Sequence, residues 1–89
     1  MMMAAPRYRI IMYERLTDRV GGIIPVPPRL ASQVLSLAGL ARPTEPGEME
    51  LHDPQLRAIA GLLTFRSNTG RYIYHLETLA PSQDDRLRA

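Results

Sequence analysis

Between residues 7 and 14 the chain alternates, with Tyr8, Ile10 and Met12 on one side and Arg7, Arg9, Ile11 and Tyr13 on the other. A two-residue period built from aromatic and β-branched side chains predicts a strand. A second alternating run covers 71–77, where Tyr72, Tyr74 and Leu76 share one face and Arg71, Ile73, His75 and Glu77 the other. Between these runs the period lengthens. Leu30, Val34, Leu37 and Ala38 make one helical stripe opposite Arg29, Ser32, Gln33 and Ser36. Pro28 suits the first turn of that helix, and Gly39 followed by Leu40 supplies a left-handed stop with a hydrophobic contact behind it, so a helix is expected over 28–38. A second stripe, Leu56, Ile59, Ala60 and Leu63, predicts a helix over 54–63, with Asp53 as its N-cap and Pro54 at its first position.

The segments between these elements carry breakers. Gly21-Gly22 reads as a flexible joint, and the prolines of residues 23–28 (IIPVPP) exclude a central strand, leaving an edge strand or an extended arm. Residues 41–50 read as an acidic linker, with a short strand possible from Glu48 to Leu51. Ala58 and Gly61 lack bulk, which suggests close approach of another element to the second helix. Ser67-Asn68-Thr69-Gly70 is a turn cluster, read as a hairpin between 63–66 and 71–77 or as a tight entry into the last strand. The expected fold is α+β: a small antiparallel sheet of two to four strands, two amphipathic helices packed on one face, and residues 7–14 lying beside 71–78. One domain over 1–79 is followed by a flexible tail over 80–89.

Composition narrows this further. A chain of 89 residues and 10.0 kDa has length for one core only. No apolar run approaches the ~20 residues that span a bilayer, and MMMAAPRYR lacks the apolar centre of a secretory signal, so a cytoplasmic protein is expected. The absence of cysteine removes disulfides, thiolate metal sites and cysteine nucleophiles together. A packing-stabilised domain this small gains from burying further apolar surface in an oligomer. All eleven cations are arginine, and the net charge is +2. That balance is far below that of a dedicated nucleic-acid binder. The linker acids Glu45, Glu48 and Glu50 are expected to be exposed and to fold back toward arginines of the sheet.

Catalytic chemistry finds little foothold. His52 with Asp53 and His75 with Glu77 have no recognised ligand spacing, no serine lies in a G-x-S-x-G context, and no glycine-rich phosphate loop precedes a helix. No metal and no cofactor are expected. A winged helix-turn-helix is disfavoured because the linker between the helices exceeds the usual turn of about 3 to 4 residues. Binding chemistry remains, on the outward face of the alternating strands. Arg7, Arg9, Tyr13, Arg71 and His75 mix guanidinium groups with rings, as a platform for unpaired bases does. Ile11 and Ile73 on the same face form an apolar patch rimmed by charge, as a protein contact does. The reading is a non-catalytic protein-interaction module, a homodimer or a small subunit, adaptor or inhibitor, binding through Arg9, Ile11, Tyr13, Arg71, Ile73 and His75. Single-stranded nucleic-acid binding is the alternative.

Overall fold

Residues 7–14 become the strand around which the fold is organised. In the computed structural model, which describes residues 7–40 and 47–79, the elements are β1 (Arg7–Glu14), β2 (Val20–Pro25), a 3-10 turn (Pro28–Leu30), α1 (Ala31–Leu37), β3 (Gly47–Leu51), α2 (Gln55–Leu63) and β4 (Tyr72–Leu79). The four strands form one antiparallel sheet in the order β2-β1-β4-β3. β1 therefore lies inside the sheet, paired along its whole length with β4, and IIPVPP begins as the edge strand β2.

Both helices pack on one face. Ile10, Val26, Leu51, Tyr74 and Leu76 from the sheet share a core with Val34 and Ala38 of the first helical segment and Leu56 and Ile59 of α2. Each fully buried large apolar side chain contributes roughly 1.5–3 kcal/mol by leaving water. The Tyr74 hydroxyl, the polar atom of a buried ring, accepts the Asn68 N–H at 2.8 Å, and Phe65 stacks on that ring at 6.0 Å. These contacts hold the 64–71 connection against the core.

Gly39 stops the first helix as its position predicts. It has φ +80°, its N–H donates to the Ser36 carbonyl at 3.1 Å, and the Leu40 N–H donates to the Leu35 carbonyl at 2.9 Å. This pair of bonds is a Schellman ending.

Several expectations need correction. Gly21-Gly22 is part of β2 rather than a joint: a bulge between Met12 and Tyr13 turns both glycines toward the helix side. A Cβ on Gly21 would lie 2.8 Å from Cε1 of Tyr72, and one on Gly22 would lie 3.1 Å from the Met12 sulfur, so the ring and thioether occupy the space that side chains would need. The core stripe of α1 is Ala31, Val34, Leu35 and Ala38, because the tighter 3-10 turn at Pro28–Leu30 advances the helical phase; Leu37 points outward.

Asp53 is not an N-cap. α2 starts at Gln55 without a side-chain cap, and the Leu56 N–H is satisfied by the His52 carbonyl at 2.9 Å. Gly61 is exposed, a Cβ there would meet nothing within 4 Å, and Ala58 is exposed too, so no described element approaches there. Residues 63–66 form the end of α2 and an irregular connection, so there is no hairpin; the tight entry is present, with the Asn68 carbonyl accepting from the Arg71 and Tyr72 N–H groups at 3.2 and 3.0 Å. Of the expected linker, residues 47–50 belong to β3, while 41–46, with Glu45, and the tail 80–89 lie outside the described residues.

Candidate functional site

The alternation that turns Ile10, Met12, Tyr74 and Leu76 toward the helices turns the intervening residues to the other face of the sheet. Among the described residues no helix covers it. Across the strands this open face reads Ile23 and Pro25 from β2, then Arg9, Ile11 and Tyr13 from β1, then Ile73, His75 and Glu77 from β4, then Glu48 and Glu50 from β3. Five of the six residues expected to bind, Arg9, Ile11, Tyr13, Ile73 and His75, are thus brought together. Arg71 departs from the group: it precedes β4, and its guanidinium lies 5.1 Å over the Tyr72 ring, which belongs to the helix side.

The polar members are tied to one another. The Arg9 Nε donates to Oε1 of its cross-strand partner Glu77 in a part-buried ion pair. The Tyr13 hydroxyl donates to Glu48 Oε1 at 2.7 Å. His75 stands beside both, with its ring 5.0 Å from that of Tyr13 in an edge-to-face contact and its Nδ1 3.3 Å from the same Glu48 oxygen. That nitrogen is buried and has no hydrogen-bond partner of good geometry among the described residues, although the Glu48 carboxylate is its nearest polar neighbour on the face. Hydrogen bonding to the Glu48 carboxylate, followed by desolvation and by the charge of Glu48, pushes the Tyr13 hydroxyl pKa upward. The nucleophilic phenolate is thereby disfavoured.

Ile11, although it lies on this uncovered face, is only 4% exposed. It sits on an inner strand with Ile23 and His75 as its cross-strand partners, which shield it without any helix. The exposed apolar surface is displaced toward the edge, to Ile23 at 49% and Val20 at 52%. The face therefore grades from apolar at β2 to acidic at β3. Its two arginines, Arg7 and Arg9, are outnumbered by Glu48, Glu50 and Glu77.

Sequence reasoning misses Glu48, Glu50 and Ile23 as members of this face. The signal is present in residues 47–51, where Met49 and Leu51 alternate with the two glutamates. Glu48 folds onto Tyr13 and His75 rather than onto an arginine. The histidines do not converge, since His52 lies 3.6 Å from Glu50 while His75 meets Glu48, and among the described residues no three His, Asp or Glu side chains are gathered to hold a metal ion.

A shallow open groove of about 420 Å³ lies away from this face, lined by Ser32, Gln33, Ser36, Leu37 and Leu62. It has no titratable lining residue. No described helix is long and apolar enough to cross a membrane. Comparison with protein-family models, with characterised proteins and with solved structures finds no match to this chain.

Proposed function

We infer that this chain is a non-catalytic protein-interaction module that docks a partner on the open face of its sheet, as a subunit, adaptor or inhibitor. The observation that carries the reading is the grading of that face, from the exposed Val20 and Ile23 on the β2 side to Glu48 and Glu50 on the β3 side. An exposed apolar area bordered by charge is a mark of protein contacts. The matching partner surface is apolar, with basic residues placed to meet Glu48 and Glu50. The cytoplasm is the proposed compartment, because a cysteine-free domain of this size lacks the disulfides on which small secreted domains commonly rely.

A single-stranded nucleic-acid platform draws less support from the same face. Its part-buried arginine is neutralised by Glu77, and the carboxylates outnumber the guanidinium groups, an arrangement that repels phosphate.

The test compares wild type with Ile73→Asp in capture from the source cell, beside an oligonucleotide titration at two salt concentrations. We expect a partner retained by wild type and lost by the folded Ile73→Asp variant, which places an unpaired charge in the contact. Steeply salt-dependent oligonucleotide binding that Arg9→Ala abolishes would replace this reading with the nucleic-acid one.

A further inference from the structure

The two free edges of the sheet differ in what they offer. The Val26 N–H donates to the Tyr8 carbonyl at 3.1 Å, and the register pairs Ile24 with Ile10 and Gly22 with Met12. Hydrogen bonding alternates along an antiparallel strand, so the backbone groups of Gly22, Ile24 and Val26 point inward to β1 and those of Ile23 point out of the sheet. From Val20 to Pro25 the strand carries no charge. Val20, Ile23 and Leu16, the last 97% exposed in the β1–β2 turn, are three of the four large apolar side chains exposed among the described residues. By the same alternation β3 turns the backbone of Glu48 and Glu50 outward, and an antiparallel copy of β3 would set these carboxylates against each other. Soluble proteins usually blunt their edge strands with charge, proline or cover. β3 has the charge, whereas β2 has Pro25 at its end and the bulge opposite Met12 and Tyr13 near its start, with Ile23 left uncovered between them.

We propose that β2 is a self-association edge, along which two copies of this chain pair antiparallel about a two-fold axis at Ile23. The two four-stranded sheets become one of eight strands. Ile23 exchanges both of its outward backbone hydrogen bonds with its own copy, and the two Ile23 side chains meet on the open face, extending the Ile11–Ile23 row into the second protomer. The occupant is a second copy because the uncharged strand opposes no like charges when it meets itself, and two-fold symmetry makes the one free donor and acceptor of Ile23 reciprocal. A six-residue edge buries less than a standard interface, so the dimer is a reversible, micromolar one. This contact is made by the backbone of the sheet rim and shares only the Ile23 side chain with the docking face, so Ile73→Asp tells its failure from that of partner docking.

Sedimentation equilibrium of the full chain from low-micromolar to sub-millimolar concentration tests it. Wild type is expected to shift from monomer to dimer mass, with exchange at the Ile23 amide slowing as concentration rises. Ile23→Lys brings two charges to the axis, and Ile23→Pro removes the outward N–H while leaving the ladder to β1 intact. Each is expected to raise the dissociation constant at least about tenfold, since symmetry doubles every loss. Ile73→Asp is expected to dimerise as wild type does, even where it loses the partner. If Ile23→Pro fails to fold, Ile23→Lys decides, because its site is half exposed. A wild-type monomer throughout the range, or a dimer that survives Ile23→Lys, overturns the proposal. So does a dimer abolished by Ile73→Asp but not by the Ile23 variants, which would move the contact to the face.

Discussion

Tyr13 on β1 and Glu48 on β3 are joined by a 2.7 Å hydrogen bond although β4 runs between their strands. The bond holds the edge strand β3 to the interior of the sheet by a side-chain link in addition to its backbone ladder, with His75 beside both partners.

Removing that link by Tyr13→Phe is expected to cost about 0.5–1 kcal/mol, the value of one exposed hydrogen bond. The link also has a pH signature. The folded chain holds the Tyr13 proton more tightly than the unfolded one, whose phenol titrates near the ordinary value of 10.0. Its contribution is therefore complete below about pH 10 and disappears as pH rises through the folded titration. Ultraviolet titration of wild type against Tyr13→Phe checks this, and a difference spectrum that titrates at or below the ordinary value would refute it.

The Arg9–Glu77 pair is cross-strand and only part exposed, 30% and 18% for the two side chains. A double-mutant cycle with Arg9→Ala and Glu77→Ala is expected to give a coupling of about 1 kcal/mol, toward the upper end for facing charges on a sheet. Coupling indistinguishable from zero in urea denaturation would mean that solvent screens the pair as it does a surface one.

Asp53→Ala is expected to cost under about 0.5 kcal/mol, because the carboxylate caps no backbone group and lies 3.9 Å from an Arg57 that is itself largely exposed. Thermal denaturation decides. A loss of ~1 kcal/mol or more would show that the carboxylate serves the start of α2 after all.

Two glycines should respond in opposite directions. Gly61, exposed within α2 and unopposed, is expected to gain about 0.5–1 kcal/mol on replacement by Ala. Gly21→Ala is expected to lose about 1–3 kcal/mol, because its methyl group must displace the Tyr72 ring. Equal melting temperatures for the two variants would contradict the packing at the bulge.

Periodicity makes most of the architecture legible. The strands at 7–14 and 72–79 and the helix stripe through Leu56, Ile59 and Ala60 follow from alternation and amphipathicity, which report which face is buried. What periodicity cannot report is where a turn takes its hydrogen bonds. Asp53-Pro54 has the composition of a cap, yet the backbone carbonyl of His52 fills that role; α2 ends at Thr64 with φ 56°, a left-handed position for which glycine is the usual residue and Gly61 the nearest candidate. The face itself is legible from β1 and β4 alone. Its acidic side comes from β3, and only the strand order places Glu48 against Tyr13. Ile11 shows the same limit, since burial on an uncovered face depends on which side chains flank it across the ladder.

β4 is the last of these elements to leave the ribosome, and it lies between two strands made before it. Arg9 waits 68 positions for Glu77, and until β4 arrives β3 has no strand beside it and β1 has only β2. The hairpin of β1 and β2 and the two helices can begin to form during translation, but the core cannot close, because Tyr74 and Leu76 are among its buried members. A nascent chain of this protein is thus committed to slow, non-local completion, with the inner strand edges open throughout its synthesis. Shortening it from the carboxyl side into β4 would remove the element that turns two separate pieces into one sheet.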